Sequence, residues 1–237
     1  MSDFLKKELE ATGVSLTAEQ LQQLERYYEL LVEKNKVMNL TAITDYEDVV
    51  VKHFADSLAI LHAYDIMKVR TVLDVGTGAG FPGMVLKIAY PDLQLTLLDS
   101  LNKRIGFLRE VAEDLGLSGI TFLHGRAEDY ARDKQFREQY DLVVSRAVAN
   151  LSTLSEYCIP YVRVGSAFVS YKSGESDEEI RAAVPAIERL GGRLDRVVPY
   201  ILPGTDIARN FAVIVKKKPT SGQYPRKAGL PSKDPLK

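Results

Sequence analysis

Tryptophan is missing from this 237-residue sequence, cysteine occurs once and histidine three times. The single Cys158 rules out an internal disulfide, and His53, His62 and His124 are too scattered for metal-ligand spacing, so no metal site is expected. Long apolar runs are also lacking. Met1-Ser2-Asp3-Phe4-Leu5-Lys6 has no basic stretch ahead of an apolar one, so a soluble, cytoplasmic protein with no membrane partner is expected. Neither sign of charge dominates, the net charge being −1. It is unevenly spread, because residues 216–237 carry seven Lys or Arg (Lys216, Lys217, Lys218, Arg226, Lys227, Lys233 and Lys237) against Asp234 alone. A polyanionic partner would be met by that tail and a local patch, not by a globally basic surface.

What remains is an ordinary globular composition, 46% hydrophobic and 27% charged, long enough for one well-buried α/β domain with an extension. Periodicity predicts helices over 3–12 and 17–36. The second opens on a Thr17/Gln20 capping box and carries Leu21, Leu24, Tyr28 and Leu31 on one stripe. Asn39-Leu40-Thr41 breaks the pattern before a helix resumes from Glu47 to about Ala63, so residues 1–69 read as a small helical cap. From Thr71 the texture alternates. Strands are predicted near 71–75, 94–99, 120–124, 141–145, 166–172, 193–202 and 209–216, with helices near 81–90, 101–115, 151–162 and 176–190. That order predicts an α/β domain over 70–218, a Rossmann-like doubly wound sheet whose last strand is antiparallel. Residues 219–237 lack periodicity and are expected to form a basic irregular tail.

The segment Val72-Leu73-Asp74-Val75-Gly76-Thr77-Gly78-Ala79-Gly80 reads as a strand running into a turn where the backbone can approach a ligand. Asp99 ends the next apolar run nineteen residues past Gly80, where a carboxylate would meet a ribose. A dinucleotide fingerprint places its third glycine one position later, and Phe81 occupies that slot. A phenylalanine there crowds a pyrophosphate but can cover an adenine or a methionine chain. With Asp74 two residues ahead of Gly76, the segment resembles motif I of class I S-adenosylmethionine (SAM) methyltransferases.

Other strand ends supply further candidates. Gly125-Arg126-Ala127-Glu128-Asp129 puts a small residue and a carboxylate where an adenine edge should lie, although the acids also suit a helix N-terminus. Asp99 has a plainer reading as a turn residue, and Lys103 and Arg104 read as solvated helix charges. Val143-Val144-Ser145-Arg146-Ala147 lacks the Asn/Asp-Pro-Pro-aromatic loop typical of amino-group methylation of nucleic acids. Cys158, inside the following helix, reads as a buried small hydrophobe instead of a nucleophile. Arg146 cannot serve as a base, but can orient a substrate or a carboxylate. Lys172 and Arg209 end or precede strands on the ligand side, or form surface pairs. His53, Asp56 and Ser57 fall within one or two helical turns, a spacing that also suits a structural hydrogen bond.

Asn39-Leu40-Thr41, His53-Phe54-Ala55-Asp56-Ser57, Asp74 through Gly83, Leu98 through Arg104 and Ser145-Arg146-Ala147 together resemble the glucose-inhibited division protein B family of bacterial 16S ribosomal RNA guanine-N7 methyltransferases. The resemblance covers nearly all of residues 1–218. It implies methylation at N7 of one guanine in the 530 loop, with SAM as donor and 16S rRNA or the small ribosomal subunit as partner, by a monomer. By the same likeness Gly76, Gly78, Gly80, Phe81, Asp99, Ala127, Glu128 and Arg146 would contact SAM. Asn39, His53, Asp56, Ser57, Lys172 and Arg209 would face the RNA or the acceptor base. Two other readings use the same residues: a small-molecule methyltransferase with the cap as a lid, and a non-catalytic RNA-binding or assembly module that keeps SAM for stability.

Overall fold

The computed structural model describes residues 3–237. Helix α1 (Asp3–Glu10) and helix α2 (Ala18–Met38) come first. The expected capping box opens α2: Thr17 N donates to Gln20 Oε1 at 2.8 Å and Gln20 N to Thr17 Oγ1 at 3.2 Å. The buried stripe is Leu21, Leu24, Tyr27 and Leu31. Tyr27, not Tyr28, faces inward, because three residues from Leu24 and four to Leu31 keep it on the same face.

The helix expected from Glu47 onward is one continuous helical stretch with changing pitch. It comprises α3 (Tyr46–Val49), a π-helical segment Val50–Ala55, α4 (Asp56–Leu58) and a 3₁₀ turn Ala59–His62. Wide π turns inside helices often mark functional positions, and this one carries Lys52 and His53.

Strands β1 (Thr71–Val75), β2 (Gln94–Asp99), β3 (Ile120–His124), β4 (Tyr140–Arg146), β5 (Val162–Ser173), β6 (Gly192–Ile201) and β7 (Ala208–Lys216) form one sheet in the order β3-β2-β1-β4-β5-β7-β6. The first five are parallel, while β7 runs antiparallel to both β5 and β6. Helices α5 (Gly83–Ala89), α6 (Asn102–Asp114), α7 (Ala127–Tyr130), α8 (Leu151–Cys158) and α9 (Asp177–Arg189) lie between strands, and α10 (Leu230–Lys233) ends the chain's secondary structure. The chain turns outward from β1 in both directions, so the carboxyl ends of β1 and β4 border the crevice where such sheets bind ligands. Strand β5 begins at Val162, four residues earlier than expected, because the 3₁₀ turn Ile159–Tyr161 ends the preceding helix at Pro160 and leaves β-branched Val162 and Val164 extended.

The helices of residues 3–69 share a core with the sheet. Leu24, Tyr27, Leu31, Phe54 and Leu58 share one buried cluster with Val72, Leu97 and Val144 of the sheet and Met84, Phe107 and Leu108 of α5 and α6. They are the helical layer over one sheet face. On the other face Leu73, Val75, Leu98 and Val143 pack with Leu154, Ile159, Ile180 and Ile187.

The tail also packs against the core. It has little regular structure, yet Tyr224 and Leu236 join the second core cluster, Pro231 is buried, and Arg137 Nη2 donates to Thr220 O at 2.7 Å. Its cations are partly committed inside the protein. Lys216 is fully buried, donating to Ile159 O at 2.8 Å beside Glu138, and burial pulls its pKa down to about 8. Arg226 pairs with the buried Glu156. Among the described residues no helix is long and apolar enough to cross a membrane.

Candidate active site

The turn after β1 is held from beneath. Asp74 is wholly buried, and its Oδ2 accepts from Thr77 Oγ1 at 2.7 Å and Gly83 N at 2.9 Å. Its Oδ1 has no partner among the described residues, and burial pushes the carboxyl pKa up to about 6. Gly80, at φ +102, is required by packing: a Cβ there would run into the Tyr27 hydroxyl, which donates to Ala79 O. Helix α2 thus clamps the glycine turn through one tyrosine.

Beyond the ends of β1, β2 and β3 lies a cavity of about 140 Å³ lined by Gly76, Asp99, Gly125, Ala127, Glu128, Val148 and Tyr157, among others. A Cβ on Gly76, at φ +71, would collide with Val148. Asp99 is nearly buried, with Oδ1 accepting from Leu101 N at 2.9 Å and Oδ2 from Gly78 N at 3.0 Å and Arg104 Nη1 at 3.3 Å. A carboxylate flanked by backbone with no intervening side chain, and apolar walls at Leu98, Ala127 and Val148, fit the ribose and adenine of SAM.

On the other side of the Ala147–Asn150 connection, a basin of about 500 Å³ is lined by Lys52, His53, Asp56, Arg146, Lys172 and Arg209, with Ile43, Tyr171 and Glu179. Asp56, 1% exposed, bridges two guanidiniums: Arg146 Nη1 donates to Oδ2 at 2.7 Å and Arg209 Nε to Oδ1 at 2.8 Å. Arg146 also donates to Lys52 O at 3.1 Å and lies 3.3 Å from His53 Nδ1, with Phe81 beneath it at 5.3 Å and His53 stacked on the same ring at 4.5 Å. His53 Nε2 lies 2.9 Å from Thr41 Oγ1. His53 Nδ1 also lies 3.1 Å from Lys52 O, so both ring nitrogens have a partner within the fold.

Burial first, and Arg146 second, lower the His53 pKa from 6.5 to about 4. Between those values the unfolded chain binds a proton that the fold excludes, so stability rises with pH there and is lost as pH falls through the window, by about 3 kcal/mol. Asp74 acts in the opposite direction, because its raised value lets the fold hold a proton that the unfolded chain releases between about 6 and 3.8. His53→Gln isolates the first effect. In urea melts its stability deficit at pH 7 should shrink or reverse by pH 4, and parallel profiles for variant and parent would contradict the neutral imidazole.

The structure gathers most of the expected residues around the two chambers and gives several of them partners within the fold. Phe81 is buried among Tyr27, Phe54 and His53 and lies under the Arg146 guanidinium. Gly80 faces Tyr27, whereas a Cβ on Gly78 would meet only Gly76 O at 4.0 Å. Ser57 is buried and donates to His53 O at 2.5 Å, so it does not face a substrate. Asn39 is the left-handed C-cap of α2 and lies outside the basin lining. Its neighbour Asn35 shapes that turn, accepting at Oδ1 from Leu40 N at 2.6 Å and Thr41 N at 2.9 Å. Lys172 Nζ donates to Ala149 O at 2.7 Å and Glu179 Oε1 at 2.6 Å, tying down the connection between the two chambers. Arg104 is a partner of Asp99, and Lys103 donates to Met38 O at 3.1 Å, so neither is merely solvated. Val148, Tyr157 and Glu179 lay in no motif, while Thr41 and Lys52 adjoined expected residues without being given a role.

Comparison with known proteins gives the family. The family model described as rRNA small subunit methyltransferase G matches residues 20–200. The chain is 52% identical over 224 residues to a ribosomal RNA small subunit methyltransferase G of Exiguobacterium sibiricum, covering 94% of each chain. It is 54% identical over 228 residues to the protein of that name from Lachnoclostridium phytofermentans, covering 96% of this chain and 94% of the other. Among solved structures, mitomycin 7-O-methyltransferase MmcR superposes with a TM-score of 0.57 at 16% identity, covering 80% of this chain and 60% of that one, a likeness of fold alone.

Proposed function

The chain belongs to the rRNA small subunit methyltransferase G family, and from that premise we propose that it transfers a methyl group from SAM to N7 of a guanine in the 530 loop of 16S rRNA, in the cytoplasm. The carrying observation is the basin itself: Lys52, Arg146, Lys172 and Arg209 line it, with a neutral His53. Guanine presents the acceptor O6 beside N7 on one edge, so donors of the basin can hold O6 while the N7 lone pair stays free for the methyl group. N7 already carries a free lone pair, so no proton has to be removed. Of the basin's carboxylates, Asp56 has both oxygens taken by arginines, and Glu179 Oε1 accepts from Lys172 Nζ and Leu151 N.

SAM supplies a methyl group already activated by its sulfonium. Gly76, Gly78, Asp99, Ala127 and Glu128 would hold it, with Gly80 and Tyr27 fixing the turn. Arg146 orients the acceptor from its place over Phe81, Asp56 holds Arg146 and Arg209 at a set separation, and Lys52 and Arg209 offer charge to the phosphates of a single-stranded loop. A base splayed out of such a loop reaches the basin without unwinding a duplex. The test is incubation with labelled SAM and small-subunit particles from cells lacking the modification, followed by mapping of the methylated nucleotide. Label at one guanine of the 530 loop is expected, and none in 16S rRNA would overturn the reading.

A further inference from the structure

We propose that the segment 219–237 buttresses the cofactor groove, with Arg226 as a positioning residue for SAM binding. This rests on the reading of that groove as the SAM site. One wall of the groove comes from Arg126, Ala127 and Glu128 at the start of α7 and from Tyr157 on α8. Helix α7 is only four residues long, too short to hold its place by its own hydrogen bonds.

The segment fastens both helices from outside. Gly229 N donates to Glu128 Oε1 at 2.8 Å, and the Ser232 hydroxyl donates to Gly229 O at 3.1 Å, closing the turn that makes this contact. Next to Tyr157, the fully buried Glu156 receives Arg226 N at 2.6 Å, Nε at 3.0 Å and Nη2 at 2.8 Å. Further back, Thr153 Oγ1 donates to Pro231 O at 3.0 Å and Arg132 Nη2 to Pro225 O at 2.5 Å. Among the described residues Arg226 is the only cation paired with Glu156. Its removal strands a buried carboxylate and loosens the wall that carries Tyr157 and Glu128. Affinity depends on such walls being in place before the ligand arrives.

The experiment compares the full chain with Arg226→Ala, Arg226→Lys and Ser232→Ala, using calorimetric SAM affinity and steady-state kinetics well below each Tm. Arg226→Ala should bind SAM about tenfold more weakly and raise KM for SAM while kcat and KM for the RNA particle stay within about twofold, with Arg226→Lys recovering part of the loss. Ser232→Ala, which leaves the buried ion pair intact, should weaken SAM two- to threefold and decides the matter if Arg226→Ala does not fold. Unchanged SAM affinity in folded Arg226→Ala, or a loss confined to RNA with a flatter salt dependence, overturns the proposal. Failure of the unaltered chain to bind SAM would strike the reading of the groove instead.

Discussion

Arg146→Ala is expected to lower kcat/KM for methylation of the small-subunit particle by about a hundredfold or more while the chain remains folded. The guanidinium is 15% exposed and held by Asp56, Lys52 O and the face of Phe81, so its position is set before any substrate arrives. Loss of a preorganised donor, or a displacement of the acceptor by about 1 Å, is worth about two orders of magnitude in rate. Folding should survive, because Asp56 keeps Arg209 as a partner although the hydrogen bonds of Arg146 to Asp56 and Lys52 O are both lost. Arg146→Lys should recover little, since an ammonium cannot serve Asp56, the Lys52 carbonyl and His53 from one plane. Normal turnover by Arg146→Ala would remove this residue from the reaction.

Asp56→Ala should have the largest effect on stability of any single change in the basin. Asp56 lies between Arg146 and Arg209 at 2.7 and 2.8 Å and is 1% exposed. Without it the two cations face each other across a low-dielectric gap. Breaking a buried pair in this way costs about 3–5 kcal/mol, which in a chain of this length lowers Tm by roughly ten degrees. Asp56→Asn should not rescue it, because the amide removes the charge and turns an NH₂ group toward one guanidinium. Differential scanning calorimetry of the two variants provides the check. A shift of only about one degree would mean that Asp56 does not hold the arginines together.

The sheet was readable because its central strands are buried on both faces, so Thr71–Val75 and Leu95–Leu98 stand out as mainly apolar runs between turns. The cofactor turn was readable for a similar reason, since Gly76 and Asp99 are constrained by local backbone and by position at strand ends. The role of Phe81 was not readable. It depends on His53 and Tyr27, which reach it from other elements, and a ring that covers a ligand has the same sequence as one that floors an arginine. Tail order was hidden for the same cause: Arg226 meets Glu156 across 70 positions and Gly229 meets Glu128 across 101. Contacts of that range leave no periodic trace. The charge count therefore overstated what the tail presents to solvent, with Lys216 and Arg226 both turned inward.

The four residues between β4 and α8 serve as a shared partition. Val148 faces the groove at Gly76, Ala147 faces the basin, and Lys172 grips Ala149 from the basin side. A displacement of this partition changes the dimensions of both chambers at once. Donor and acceptor occupancy are then two legs of one thermodynamic cycle, and whatever one ligand gains or loses by moving the wall, the other must gain or lose by the same factor.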